Sequence, residues 1–252
     1  MNHLDAKLDE TIVDVRHAQA PSAVVVICEH ASAHIPAALG NLGLADDALE
    51  SHVAWDPGAL GLAERMAEHL HATLIAAKTS RLVYDCNRPP NAPDAMPARS
   101  EIVDVPGNAE LTAAQKSERV RVFYEPFRRA ISQTISTLDD PILVTVHSFT
   151  PVYHGAARDV EIGILHDSDA RLADAILSHA DTRHIVRRNE PYGPADGVTH
   201  TLREHAVPGG FLNVMLEVRN DLIADAGAQD AMAATLSTWI ARALEKSEAP
   251  AC

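Results

Sequence analysis

Residues 22–28 read SAVVVIC, residues 141–147 PILVTVH and residues 211–218 FLNVMLEV. Each run is rich in β-branched residues and apolar on both faces, the pattern of a strand covered on both sides within a parallel sheet. Residues 160–166 (VEIGILH) add a fourth strand, residues 74–77 and 81–86 two short ones, and residues 182–188 an edge strand. Between these runs the apolar period lengthens to that of helices. Asp56-Pro57 opens one, with Asp56 at N-cap and Pro57 at N1. Leu60, Ala63, Met66, Ala67 and Leu70 form its buried face. A capping box at Thr112 and Gln115 starts a helical pattern over 111–138 that Pro126 should kink or split. Helices are also predicted over 168–180, 198–205 and 228–246. Residues 41–51 form a loop with a short helical piece, and 87–108 and 189–197 are loops. Strands alternating with helices predict a single α/β domain, a mostly parallel mixed sheet flanked by helices. It spans 1–252 with its core over about 22–246.

The 252 residues suit one such domain. Asp and Glu number 35 against 21 Lys and Arg, a net charge of -14 that repels phosphate backbones and anionic membranes. Aromatic residues make up 4%, too few to supply base-stacking platforms. Nucleic acid is therefore not an expected partner. A small anion remains compatible, because a local arginine cluster can override the mean field. Cys28, Cys86 and Cys252 form no C-x-x-C pair and no disulfide framework, as in a reducing compartment. Residues 1–10 (MNHLDAKLDE) lack the basic and apolar regions of a signal peptide. No stretch approaches 18 consecutive apolar residues. The expected location is the cytoplasm, with no membrane partner; homo-oligomerisation is left open.

Polar residues gather where the buried runs stop. Glu29-His30 follow VVVIC, His147-Ser148 follow ILVTV, and Glu217 interrupts NVMLEVRNDL. In open α/β sheets, ligands bind beyond the carboxyl ends of the strands. Singly, each is explained as a satisfied group at a strand end. Together, two imidazoles and a carboxylate with one open position make the usual catalytic zinc set. His30 and His147 are the natural imidazoles. The third ligand has three candidates. Asp56 could equally be an ordinary helix cap. Glu29 needs a turn, since neighbours on a strand point to opposite faces. His34 has helical spacing from His30, which Pro36 opposes. In Asp85-Cys86-Asn87-Arg88 the guanidinium fork can hold a carboxylate bidentately and Asn adds a donor, the alternative being a surface salt bridge. Glu217 either pairs with Arg219, two residues along on the same strand face, or has a function.

The segments DCNRP, VTVHSF and MLEVRND resemble, in the same order, the D-x-N-R, I-H-S-Y and F-E-L-R-D segments of the zinc carboxypeptidase superfamily. CEHASAHIP, AWDPGALGLAERMA, SRLVYDCNRPP, VTVHSFTP, NEPYGPADGVTHTL and MLEVRNDLI together make the chain similar to the N-formylglutamate amidohydrolase family over roughly 24–223. The resemblance implies a zinc-carboxypeptidase-like fold. It implies His30 and His147 as zinc ligands and Glu217 as general base. Asn87 and Arg88 would grip the substrate's α-carboxylate, and Arg81 would steady the developing oxyanion. One departure matters. The superfamily places a ligand Glu three residues after the first His, at the start of the next helix, and here that position is Ala33. The next predicted helix begins at Asp56, which makes Asp56 the preferred third ligand.

The expected activity is zinc-dependent hydrolysis of an N-acyl acidic amino acid, with N-formyl-L-glutamate the first choice and one Zn2+ per chain. The substrate's side-chain carboxylate needs a second cation, for which Arg99, Arg158 and Arg219 are candidates. The alternatives are a peptidase or deacylase acting on another N-acyl amino acid, or a non-catalytic ligand-binding domain of the same fold.

Overall fold

Alternation along the strands divides the interior into two apolar layers. On the second strand Val24, Val26 and Cys28 face one layer, while Val25 and Ile27 face the other. A computed structural model describes residues 11–247, and the 1–10 segment and Cys252 lie outside the described residues. In chain order the strands are β1 (Val13–Arg16), β2 (Val24–Cys28), β3 (Thr73–Ala77), β4 (Arg99–Ser100), β5 (Val103–Asp104), β6 (Ile142–Phe149), β7 (Val152–Tyr153), β8 (Ala156–Ala157), β9 (Ile162–Leu165), β10 (Val186–Arg188) and β11 (Asn213–Arg219). The α-helices are α1 (Asp46–Glu50), α2 (Ala59–His69), α3 (Ala113–Arg119), α4 (Glu125–Ile135), α5 (Arg171–His179), α6 (His200–His205) and α7 (Ala226–Ser247).

Seven strands form one sheet in the order β1-β3-β2-β6-β11-β9-β10. Neighbours from β3 to β11 run parallel, as do β9 and β10; β1 on β3 and β11 on β9 are antiparallel. The predicted single, mostly parallel mixed α/β sheet is thus present. Helices α2, α5 and α7 cover one face, and α4, α6 and the long 82–105 segment cover the other. Coverage of both faces explains why the central strands carry no polar stripe. Among the described residues no helix is long and apolar enough to cross a membrane. Cys28 and Cys86 are both buried free thiols.

Two local expectations are corrected. Asp56 is not a helix cap: α2 begins at Ala59 behind Gly58, whose φ of 81° puts the turn in the left-handed region. Residues 81–86 are not a strand but buried turn and irregular chain. Their carbonyls find side chains where a sheet neighbour would otherwise be needed: Asn108 donates to the Leu82 oxygen, and Arg119 to that of Val83. The run over 111–138 is split close to Pro126, as predicted. A π turn over Val120–Tyr124 links α3 to α4, and Pro126 sits in the first turn of α4, where an N–H is dispensable. The capping box at Thr112 and Gln115 is present as predicted. The edge strand β1 was not legible in the sequence.

Register aligns polar residues on the sheet's central strands. Glu217 of β11 lies opposite His147 of β6 in the parallel pair, so both side chains project from one face. Across the other edge, Glu217 pairs with Gly163 of β9. A Cβ at Gly163 would fall 2.1 Å from the Glu190 carbonyl oxygen and 3.2 Å from the Glu217 Cβ. Gly163→Ala is therefore expected to destabilise the protein by about 1–3 kcal/mol through overpacking against backbone. Denaturant unfolding would measure this; an unchanged midpoint would show that the sheet yields freely there.

Candidate metal centre and catalytic cavity

β2 stops at Cys28 and the chain turns at Glu29-His30. The turn lets both neighbours enter the interior, where a continuing strand would have sent them to opposite faces. Both are buried, at 1% and 3% exposure. The Asp56 amide donates to the His30 carbonyl oxygen, tying the two segments together. Because α2 starts at Ala59, the Asp56 carboxylate is free to face inward.

His30 Nδ1, His147 Nδ1 and Asp56 Oδ2 form a nearly equilateral triangle. The edges are 3.2 Å between the imidazoles, 3.2 Å from His30 to Asp56 and 3.0 Å from His147 to Asp56. Tetrahedral bonds of ~2.0–2.1 Å set ligand atoms roughly 3.3 Å apart, so the three atoms suit one face of a tetrahedral ion. The donor chemistry also fits: two imidazoles and a carboxylate, all buried, can hold a metal ion.

The far side of each imidazole meets another carboxylate. His30 Nε2 lies 2.7 Å from Asp85 Oδ1, and His147 Nε2 lies 3.1 Å from Glu29 Oε2. Carboxylates in that position orient ligand histidines and raise their basicity. The Glu29 contact is close but poorly aligned, and neither atom makes a well-directed hydrogen bond. We therefore read it as an ion pair. Arg81 spans the assembly, donating to Asp56 Oδ1 at 3.3 Å and to Asp85 Oδ2 at 2.9 Å. The Ser148 amide donates to Asp56 Oδ2 at 3.3 Å.

The electrostatics follow from four buried carboxylates around two imidazoles, with Arg81 paired to two of the four. Burial opposes charge on both imidazoles, and Arg81 does so for His30. The carboxylates outweigh them: Asp85 and Asp56 raise His30, and Glu29 and Asp56 push His147 well above the ordinary range. Burial likewise opposes the charge on Glu29, Asp56 and Asp85. The imidazoles beside them, with Arg81 at Asp56 and Asp85, still hold all three below the usual carboxylate range. Glu217 differs. Burial dominates and carries it up to about 7, although His147 pulls the other way. Its Oε2 is buried with no hydrogen-bond partner among the described residues.

The remaining candidate residues fall as follows. His34 is exposed and outside the triangle. Asn87 is buried, accepting from the amide and hydroxyl of Thr201 and donating to the Val198 oxygen, so it braces the start of α6. An Asn amide has two donors, which leaves one N–H over. Arg88 binds Asp94 through Nε at 2.6 Å and two carbonyls through Nη1, while Nη2 makes no hydrogen bond among the described residues. Arg99 is exposed and paired with Asp104. Arg219 pairs with Asp221 at 2.8 Å and lies 3.6 Å from Glu161, not with Glu217. Sequence reasoning missed Asp85 as the partner of His30. Its only signal was an acid at the end of an apolar run. A cavity of about 480 Å³ opens onto His30, Asp56, Arg81, Asn87, Arg88, His147 and Glu217, with Tyr153 and Tyr192 also on its wall.

Residues 22–224 match the family profile described as N-formylglutamate amidohydrolase. Among solved structures, the chain is similar to a gene product of Agrobacterium tumefaciens, 53% identical, with 97% of this chain and 98% of that one covered and a TM-score of 0.94. It also resembles the fold of an N-formylglutamate amidohydrolase from Ralstonia eutropha JMP134, 17% identical, with 95% and 98% covered and a TM-score of 0.63. A search of curated proteins finds no match.

The charge pattern predicts how metal-free protein responds to pH. His30 and His147 are raised, so their stabilisation is complete below about pH 6.5 and is lost as pH rises through their folded values. Glu217, raised to about 7, also costs stability as it ionises above its ordinary range. Glu29, Asp56 and Asp85 are lowered, and their contribution is lost only as pH falls below the usual carboxylate range. Melting temperature in chelator should therefore fall as pH rises above about 6.5. Added divalent metal, which competes with protons for the imidazoles, should stabilise more as pH rises. A chelated protein that gains stability over that range would contradict the assignment.

Proposed function

The chain belongs to the N-formylglutamate amidohydrolase family, and on that premise we propose that it is a zinc-dependent hydrolase of N-acyl acidic amino acids, N-formyl-L-glutamate above all. The observation that carries this reading is Glu217. A carboxylate buried without a hydrogen-bond partner is costly, and a site for binding metal alone has no use for it. It stands beside His147 by strand register and opens onto the same cavity as the triangle.

One zinc ion per chain, held by His30, Asp56 and His147, would supply Lewis acidity, polarising the amide carbonyl and lowering the pKa of water. The Glu217 carboxylate takes a proton from the water that adds to the formyl carbon. It delivers that proton to the amine nitrogen as the C–N bond breaks, giving formate and the free amino acid. A carboxyl with a pKa of about 7 can both accept and return a proton near neutral pH. Arg81, pinned by Asp56 and Asp85, brings fixed positive charge to the wall where the carbonyl oxygen becomes an anion. The spare donors of Arg88 Nη2 and Asn87 Nδ2 hold the α-carboxylate and so orient the amide.

Two outcomes are expected. Glu217→Gln should retain metal and fold yet lose at least ~10²-fold in kcat. Activity within a few-fold of the parent would remove Glu217 from the mechanism. Asp56→Ala should weaken zinc binding more than Glu29→Gln, whose loss should be about 10–100-fold, as for a group that orients a ligand. Metal titration of the two variants checks this, and the reverse order would make Glu29 the ligand.

A further inference from the structure

Arg158 is half-buried and follows directly on the short β7–β8 ribbon. Its backbone is fixed at both ends: its amide donates to the Pro151 oxygen, and its carbonyl accepts from Arg219. The guanidinium carbon lies 4.3 Å from the ring centre of Tyr153, 5.0 Å from Tyr192 and 5.5 Å from Phe149. Nη2 donates to the Tyr192 hydroxyl at 2.9 Å, and Nη1 makes a long contact of 3.4 Å to the Thr150 oxygen. No carboxylate lies within ion-pair distance of it among the described residues. In a chain with 35 acidic and 21 basic side chains, that is a cation left without an anion.

Three aromatic faces hold the guanidinium plane and favour its charge, leaving its edge N–H groups in excess of their acceptors. Tyr192 accepts from Arg158, so its own O–H proton is free to donate elsewhere. Phe149, Thr150, Tyr153 and Tyr192 all line the cavity that holds the metal triangle and Glu217. Of the three cations considered for a second substrate carboxylate, Arg99 and Arg219 already have acids.

We propose that Tyr192, backed by Arg158 in its aromatic cage, forms the subsite for the substrate's side-chain carboxylate and so selects acidic N-acyl amino acids. This rests on the hydrolase reading above and adds the group that sets its specificity. Tyr192 contributes the hydroxyl that reaches the anion, and Arg158 contributes the charge that makes the hydroxyl a strong donor.

The test compares N-formyl-L-glutamate with N-formyl-L-glutamine, its isostere with an uncharged side chain, in parent, Arg158→Gln and Tyr192→Phe, each with its melting temperature recorded. The parent should prefer the glutamate compound. Arg158→Gln should cut the preference at least tenfold, mainly through KM, with the glutamine compound changed less than threefold. Tyr192→Phe, which keeps the ring, should cut it several-fold without moving the melting temperature. Equal losses for both substrates, or an intact preference, would overturn the proposal while leaving the hydrolase reading in place. A second readout needs no catalysis: glutarate should raise the parent's melting temperature more than its monoamide does, and Arg158→Gln should erase the difference. A parent that shows this discrimination yet hydrolyses neither substrate would keep the subsite and refute the hydrolase reading. Equal shifts from glutarate and its monoamide in the parent would overturn the subsite.

Discussion

Four buried carboxylates crowd two imidazoles, only two of the four are paired with Arg81, and that imbalance governs the centre of this protein. Glu29, Asp56, Asp85 and Glu217 are each less than 5% exposed, and Arg81 is the cation that spans two of them. Buried negative charge of this density needs positive charge within a few ångströms. Two protonated imidazoles can supply it, and so can one dication between the same imidazoles once they are neutral. The closeness of His30 Nδ1 and His147 Nδ1, 3.2 Å apart, belongs to the same balance. Two unprotonated nitrogens would repel there, so something positive, a proton or a metal ion, has to sit between them.

The fold is arranged to present that charge on a rigid frame. Parallel strands β2 and β6 deliver His30 and His147 at their carboxyl ends, where α/β sheets place their ligands. Register between β6 and β11 sets Glu217 beside His147, and Gly163 on the next strand leaves room for it. Gly58 delays the start of α2, which frees Asp56 from helix-capping for the triangle. The irregular 81–86 segment, secured by Asn108 and Arg119, brings Arg81 and Asp85 to the same point. Further parts of the cavity wall come from the β6 end, β7 and the 189–197 loop, with Arg158 packed on its aromatic residues.

The central sheet was legible because burial on both faces writes long β-branched runs into the sequence, and the histidines were legible because they end those runs. What failed depended on contacts distant in sequence. Asp56-Pro57 carries the local chemistry of a helix start, yet tertiary contacts to His30 and Ser148 take the carboxylate. Residues 81–86 are as apolar as a strand because they are buried, but their carbonyls are satisfied by side chains far along the chain. The pairing of Asp85 with His30 joins residues 55 apart, which no period reveals. Arg158 could be named as one cation among three, but its lack of an acid partner among the described residues is a fact of three dimensions.

The central claim is that one metal ion and two imidazole protons compete for the same place. Calorimetric titration of zinc into chelator-treated protein at pH 7, repeated in buffers of different ionisation enthalpy, counts the protons released as metal binds. The account predicts one zinc per chain with net proton release, because both imidazoles are held above their ordinary range without metal and must shed their protons to bind it. Stoichiometric binding with no proton release, or the same binding and release in His147→Ala, would contradict it.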